Sequence, residues 1–135
     1  MKKFIALFLL LFLLLQCVGK PGKTENVKIT LGASSQFSEN ELQAAANAVL
    51  KRFVGFEDCT LTELWYDEGF SNSTVAQYHA TKNDPANGIA LLSNFDVGPS
   101  GGDGSFNPNT TYSHWNWILT RSGATGHWKV IDWGD

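Results

Sequence analysis

The hydrophobic and polar positions of this chain change period several times, and each period predicts a different element. An unbroken apolar run occupies residues 4–15, and residues 27–31 then alternate apolar and polar side chains. Alternation is typical of a half-buried strand, so we predict a first strand at residues 27–31.

A long helix is predicted next. Ser38 and Glu41 have the spacing of a capping box, in which the helix begins directly after the serine, and Phe37 and Leu42 occupy the two staple positions. Apolar residues at helical spacing then form one stripe that must lie on a sheet: Leu42, Ala45, Ala46, Val49, Leu50 and Phe53.

The rest of the chain has the composition of strands. Residues 59–66 are rich in β-branched and aromatic side chains, and we expect Gly69 and the polar residues 71–73 to end this strand in a turn. The pattern also allows a short helix at residues 74–81. Three further strands are predicted at residues 88–97, 112–121 and 127–133.

The alternation within two of these strands predicts which residues face the core. One strand places Ile89, Leu91, Phe95 and Val97 on one face together with Ser93, and the next places Trp115, Trp117 and Leu119 opposite His114 and Asn116. One N-terminal strand, one long helix and four closely connected strands predict an α+β domain. We expect its four later strands to form a curved antiparallel meander packed on the helix.

This order resembles the cystatin-like and nuclear-transport-factor-like α+β folds, in which a curved sheet cups a long helix and can leave a pocket. The phrases at residues 59–68, 101–105 and 115–119 are similar to uncharacterised domains of secreted bacterial lipoproteins, over about residues 35–135. The resemblance implies no particular activity. The Gln-x-Val-x-Gly hairpin of the inhibitory cystatins is absent from the sequence, so protease inhibition is not inferred.

The first 16 residues have the pattern of a secretory signal peptide. Two lysines precede the apolar run, whose 12 residues are fewer than the roughly 20 that a membrane-spanning helix needs. The segment Leu14-Leu15-Gln16-Cys17 resembles the lipobox of bacterial lipoproteins, in which the cysteine becomes the lipid-modified first residue. Cleavage after Gly19 and free secretion is the alternative, because Gln16 stands where that motif usually has a small residue.

These boundaries predict a signal peptide at residues 1–16, a polar tether at 17–26 and a single α+β domain at 27–135. Without the two leader lysines, the chain has 8 basic and 13 acidic residues and a formal net charge of −5. This charge gives no electrostatic reason to expect nucleic-acid binding. We expect an extracytoplasmic protein that is anchored to the bacterial cell membrane by Cys17 or secreted. Its membrane contact would then be only through the lipid.

The chain contains five tryptophans, a large number for a domain of this size. Large rings can fill the core of a domain that has few aliphatic residues, or they can form a platform for sugar rings or apolar ligands. Leu119 favours a core position for its neighbours Trp115 and Trp117. The candidates for a ligand surface are therefore Trp65, Trp128 and Trp133.

A long glycine-rich loop is predicted at residues 98–111. Its oxygen-bearing side chains could hold a metal ion such as calcium, with Asp96 and Asp103 as candidate ligands, although EF-hand spacing is absent. The alternative is a hairpin loop whose Asp and Asn side chains satisfy turn amides. Because loops of this length are often functional, Asp103 and Asn107 are also candidate ligand-binding residues.

The candidate acid and base groups are Glu63, Asp67, His79, Asp96 and His114. On strict alternation Glu63 shares a face with Leu61 and Trp65, so its carboxylate would either be drawn to the concave side, where it could act as a base, or mark a partly exposed strand. The sequence contains no serine nucleophile elbow, zinc-binding helix, phosphate loop or clustered pair of cysteines.

Three functions follow from these features. The first is a non-enzymatic envelope domain that binds a protein partner or a small ligand, without a cofactor, through the open side of its sheet and the loop at 98–111. The second is a small-pocket isomerase or hydrolase that uses Glu63 or Asp67 with a histidine such as His114. The third is glycan binding by exposed tryptophans.

Overall fold

A computed structural model of the chain describes residues 19–78 and 87–135. The elements in chain order are β1 (Lys28–Thr30), α1 (Glu39–Phe53), β2 (Cys59–Trp65), α2 (Glu68–Tyr78), β3 (Gly88–Val97), β4 (Thr111–Thr120) and β5 (Lys129–Gly134). Neither helix in these two ranges combines the length and apolar character needed to cross a membrane. The predicted signal peptide, Cys17, His79 and the end of the predicted helix at 74–81 lie outside the described residues.

The five strands form one mixed sheet in the order β1-β2-β3-β4-β5. β1 and β2 are parallel and are joined through α1, whereas β2 to β5 are antiparallel neighbours in chain order. The predicted α+β class is therefore confirmed. The predicted order of elements is incomplete, because a second helix, α2, separates β2 from β3.

α2 lies where the sequence pattern predicts a turn, so the turn predicted at Gly69 and residues 71–73 is wrong. Ser71 is 1% exposed, and its hydroxyl accepts a hydrogen bond of 2.9 Å from the backbone N–H of Ala90 in β3. Val75 is the other buried residue of the helix. Contact with β3 thus outweighs the weak helix propensity of glycine and serine, which is all that the local pattern reports.

α1 begins where the capping box predicts. The hydroxyl of Ser38 accepts a hydrogen bond of 3.1 Å from the N–H of Glu41, and the Glu41 carboxylate accepts one of 2.9 Å from the N–H of Ser38. The buried residues of the helix are five of the six predicted: Leu42, Ala45, Ala46, Val49 and Phe53. This stripe packs against the inner face of the sheet, as its hydrophobic period requires.

The core between α1 and the sheet is rich in aromatic rings, and Trp115 and Trp117 are both buried in it, as predicted. The indole N–H of Trp117 donates a hydrogen bond of 2.7 Å to the hydroxyl of Ser93, which donates in turn to the carbonyl of Trp115 at 3.2 Å. Ser93 is therefore the one polar residue on the inner face of β3 because it satisfies a buried indole donor.

Two interruptions of the strand register flank Asn94 in the middle of the sheet. One lies on β2 between Leu61 and Glu63, and the other lies on the opposite side, where β3 pairs with β4. The carbonyl of Asn94 accepts a hydrogen bond of 3.0 Å from the hydroxyl of Thr62, and its side chain accepts one of 3.0 Å from the N–H of His114. The Asn94 side chain thus satisfies the N–H of His114 beside one bulge, and its carbonyl accepts from the Thr62 side chain at the other.

The described part of the predicted tether packs along the domain. Lys23 forms a parallel bridge with Thr60 of β2. The N–H of Gly22 donates a hydrogen bond of 2.9 Å to the carbonyl of Val54, and a Cβ atom at this glycine would lie 2.1 Å from the Phe53 carbonyl oxygen. This segment therefore follows the end of α1 and the edge of the sheet, instead of connecting flexibly to it.

An ion pair joins the first turn of α1 to the connection between β4 and β5. Nη1 of Arg121 lies 2.5 Å from the Glu41 carboxylate, and the Arg121 side chain is only 7% exposed. Its guanidinium lies 4.4 Å from the ring centroid of Trp128. Hydrogen bonds from the Ser38 backbone and from Arg121 lower the pKa of the Glu41 carboxyl.

The substitution Glu41→Gln tests this ion pair. A carboxylate with a lowered folded-state pKa stabilises the fold above its ordinary value of 4.5, and this contribution is lost as the pH falls through the lower folded-state pKa. The amide oxygen of glutamine can still accept from Ser38, so the cap is retained. We expect E41Q to unfold at a lower urea concentration than wild type at pH 7, with the difference shrinking as the pH falls below 4.5.

Glu39→Gln is the matched control, because Glu39 lies in the same helical turn and is exposed. It should reduce the free energy of unfolding at pH 7 by only a few tenths of a kcal/mol, the size of a surface interaction with the helix dipole. Equal losses in the two variants at pH 7 would contradict a specific role for the ion pair.

Candidate functional site

A cavity of about 240 Å³ lies where the end of α1, the loop after β3 and strand β5 meet. We call it the α1 cavity. Its lining consists of aromatic, charged and small residues: Arg52, Gly55, Phe56, Glu57, Asp103, Ser105, Phe106 and Trp133. The cavity therefore combines an apolar wall with both signs of charge.

The apolar wall is continuous with the core. Phe56 is stacked on Phe106 at a centroid distance of 5.7 Å and meets Trp133 edge to face at 5.8 Å. On its other side Phe56 contacts Trp117, which is fully buried, at 5.2 Å. Packing against the core holds these rings in place, so the cavity is largely preformed.

The loop that closes one side of the cavity is held by Asp58. The carboxylate of Asp58 accepts hydrogen bonds from the N–H and the hydroxyl of Ser100, at 3.1 and 2.6 Å, and these bonds lower the pKa of its carboxyl. The carbonyl of Asp58 accepts from the N–H of Gly98 at 2.8 Å. Asp58 has a φ of 57°, a left-handed conformation that Asp and Asn adopt more readily than most residues.

The tip of the loop is built from turns. The carbonyl of Gly101, a residue with a φ of 73°, accepts hydrogen bonds from the N–H groups of Gly104 and Phe106. The Asp103 carboxylate accepts from the hydroxyl of Ser105 and, at 3.1 Å, from its N–H, and these bonds lower the pKa of the Asp103 carboxyl. Asp103 thus satisfies turn amides, as the hairpin-loop alternative predicts.

The two candidate metal ligands are engaged separately. Asp96 lies on β3 and accepts a hydrogen bond of 2.6 Å from the hydroxyl of Thr111, whereas Asp103 lies in the loop tip. Within residues 19–78 and 87–135, no group of three or more His, Cys, Asp or Glu side chains is placed to hold a metal ion.

Arg52 covers part of the aromatic wall. Its guanidinium carbon lies 4.6 Å from the ring centroid of Trp133. In the described part of the chain, the only ion pair joins Arg121 to Glu41, so Arg52 is not paired with Glu57 or Asp103. The α1 cavity therefore contains one guanidinium and two carboxylates that do not neutralise one another by direct contact.

A groove continues from the α1 cavity along α1 and β5. Its two parts have volumes of about 320 and 500 Å³ and share Ala48, Lys51 and Trp128 in their walls. The nearer part also shares Arg52 with the cavity, and the farther part reaches the Arg121–Glu41 ion pair. Trp128 is only 9% exposed beneath Arg121, so its ring offers little free surface to a sugar.

The predicted ligand-binding residues are divided among three places. Trp133 and Asp103 meet in the α1 cavity, and Trp128 lines the groove. Trp65 lies on the outer face of the sheet, where its ring is edge to face with His114 at 5.5 Å. Asn107 is exposed, and its N–H donates a hydrogen bond of 3.2 Å to the hydroxyl of Tyr112.

The candidate catalytic residues lie away from the cavity and groove. The expectation that Glu63 shares a face with Leu61 is wrong, because the bulge between them turns Glu63 to the exposed outer face. Asp67 is exposed and caps α2 by accepting a hydrogen bond of 2.8 Å from the N–H of Phe70. His114 is exposed and has a φ of 58°. None of these three lines the cavity or either part of the groove.

The sequence analysis missed Arg52, Phe56 and Phe106 as components of a site. Phe106 offered one usable signal, since it is the single large apolar residue in a loop of glycine, proline and polar residues. Such a residue must find a partner outside the loop. Nothing in the local pattern around Arg52 separates it from an ordinary exposed residue near a helix end.

In comparisons with known proteins, no family model, no curated protein and no solved structure matches the chain.

The substitution Gly98→Ala tests the attachment of the cavity loop. A Cβ atom at this position would lie 2.4 Å from both carboxylate oxygens of Asp58, so the carboxylate must leave Ser100. We expect faster amide hydrogen exchange across residues 98–110 than in wild type, measured by mass spectrometry at neutral pH. Gly123→Ala is the matched control, since a Cβ there meets nothing within 4 Å. Unchanged exchange in G98A would show that Asp58 does not hold the loop.

Proposed function

We propose that this chain is an exported, lipid-anchored domain of the bacterial cell envelope that binds a small ligand, or one side chain of a protein partner, in the α1 cavity without covalent chemistry. The observation that carries the proposal is the convergence of three separate segments on one cavity whose aromatic wall is continuous with the core. Its cystatin-like arrangement, with α1 packed on antiparallel strands, is part of the same proposal.

The composition of the cavity suits binding. Ligand sites usually combine a preformed apolar surface with a few polar groups that set orientation, and Phe56, Phe106 and Trp133 with Arg52 and Asp103 provide both. The volume of about 240 Å³ is below the range of roughly 300–1,000 Å³ typical for drug-sized ligands. The proposed ligand is therefore a small molecule or a single projecting group.

The alternatives have less support. An isomerase or hydrolase would need its acid and base in a pocket, and Glu63, Asp67 and His114 line neither the cavity nor the groove. A glycan site would need a free ring face, whereas Trp128 is only 9% exposed beneath Arg121, and the face of Trp133 is occupied by the Arg52 guanidinium, which a cation can replace in kind and a neutral sugar cannot. Non-covalent binding in the α1 cavity requires only the groups that line it.

The signal-peptide pattern and the lipobox-like segment support the proposed location. Gly19 lies against Glu57, since a Cβ atom there would be 2.3 Å from the Glu57 carboxylate. Cys17 precedes Gly19 by two residues, a reach of about 7 Å at most. A lipid on Cys17 would therefore hold the α1 cavity close to the membrane surface.

Metabolic labelling tests the anchor. We expect the full chain, expressed in a bacterium that processes lipoproteins, to incorporate labelled palmitate and to fractionate with membranes. Cys17→Ser should lose the label, whereas Cys59→Ala, which changes the other cysteine, should keep it. A wild-type protein that is exported without label would support free secretion and contradict the anchor.

Blocking the cavity tests the binding proposal. We expect at least one of four probes, indole, phenol, butylammonium and butyrate, to give a saturable response in ligand-observed NMR with the purified protein. Ser105→Phe adds a ring at the cavity wall and should weaken this binding at least tenfold. Ser73→Phe, on the exposed side of α2, is the control and should leave it unchanged. Saturable binding of none of the four probes would overturn the proposal.

A further inference from the structure

The α1 cavity carries more negative than positive charge around its aromatic wall. Among the described residues that line the cavity, Glu57 and Asp103 supply two carboxylates and Arg52 supplies the one basic group. The hydrogen bonds from Ser105 lower the pKa of the Asp103 carboxyl, so it is ionised at neutral pH. The formal charge of this site is therefore −1, which favours a cationic ligand over an anionic one.

The aromatic wall itself attracts cations. The negative face of an aromatic ring binds a cation within about 6 Å of its centroid, and tryptophan is the strongest of the rings. Arg52 already uses this property, since its guanidinium carbon lies 4.6 Å from the centroid of Trp133. A cation on Trp133 is thus the arrangement that this part of the protein adopts by itself.

Arg52 is weakly held in that position. It is an exposed residue in the last turn of α1, and it forms no ion pair with either carboxylate of the cavity. An exposed cation–π contact of this kind is among the weaker interactions of a folded protein. An external cation that can also approach Asp103 and Glu57 would replace the guanidinium at a small cost in free energy.

We propose that the ligand of the α1 cavity is a small organic cation, an ammonium group that takes the place of Arg52 over Trp133 and is balanced by Asp103 and Glu57. This inference rests on the proposed function and specifies its ligand class. A free amine and the amino head group of a membrane lipid share this chemistry. The short reach from Cys17 to Gly19, which lies against Glu57, would bring the cavity to a lipid head group.

Arg52 provides the sharpest test, because it competes with the ligand in this scheme. Tetramethylammonium and ethanolammonium chloride are titrated into the purified protein at constant ionic strength, and the indole N–H resonance of Trp133 is followed by NMR. We expect saturable binding to wild type and roughly two- to fivefold tighter binding to Arg52→Ala, in line with the small strength of an exposed cation–π contact. Lys129→Ala is the control: it removes an exposed positive charge from β5, the strand of Trp133, at a position outside the cavity, and this variant should bind like wild type.

Removing either carboxylate should change the affinity for ammonium ions in the opposite direction to Arg52→Ala. Asp103→Asn and Glu57→Gln should each weaken binding of both ammonium ions roughly two- to tenfold, as expected for the loss of one partly exposed charge interaction. Two positions are tested because Asp103 also forms the loop turn, whereas Glu57 has no part in that turn. Weaker binding of ammonium to R52A, or tighter binding of butyrate than of butylammonium to wild type, would overturn the inference.

Vesicles distinguish the two sources of the ammonium group. The protein is mixed with phosphatidylglycerol vesicles that do or do not contain phosphatidylethanolamine, and the bound fraction is measured by flotation. Binding that depends on phosphatidylethanolamine and is reduced in D103N supports a lipid head group, and ethanolammonium binding without this dependence supports a free amine. If S105F abolishes binding of indole or butyrate and no ammonium ion binds, the inference of a cationic ligand is overturned and the proposed function remains intact.

Discussion

Among the described residues, Phe56 is in ring contact with six other aromatic side chains, and the packing of this ring joins the core to the α1 cavity. Its partners are Phe53, Phe95, Phe106, Trp115, Trp117 and Trp133. They come from α1, from three different strands and from the loop after β3. Because aromatic side chains bury large areas and pair with preferred geometries, one residue three positions beyond the end of α1 can hold all these elements together.

The same ring separates the core from the α1 cavity. One side of Phe56 belongs to a core in which Trp117 donates to Ser93, and the other side forms the cavity wall with Phe106 and Trp133. Core packing therefore keeps the cavity open, since Phe56 cannot collapse into it without losing its contacts with Trp117 and Phe95. The glycine-rich loop contributes its own ring, Phe106, which is why a loop of small residues still has a defined position.

Much of the fold could be predicted from the sequence, and the parts that could not depend on contacts between distant residues. The start of α1 follows from four neighbouring residues, and the inner faces of β3 and β4 follow from simple alternation. A short helix was predicted at residues 74–81, but the first half of α2 was taken for a turn, because the burial of Ser71 requires the N–H of Ala90 in the next strand. Glu63 was assigned to the wrong face because a bulge is a property of two paired strands and leaves no mark in one strand's pattern.

Only part of the candidate site could be predicted from the sequence. Trp133 and Asp103 could be selected from the sequence because five tryptophans are many for a small domain and because a loop of this length is often functional, whereas Arg52 gains its importance only from lying over Trp133. The N-terminal segment meets this site at Asp58. The N–H of Asp58 donates to the carbonyl of Lys20 at 2.8 Å, and its carboxylate holds the cavity loop through Ser100. One residue in a left-handed conformation thus links the N-terminal segment to the loop that closes the cavity, so the proposed attachment and the proposed binding site would share one corner of the domain.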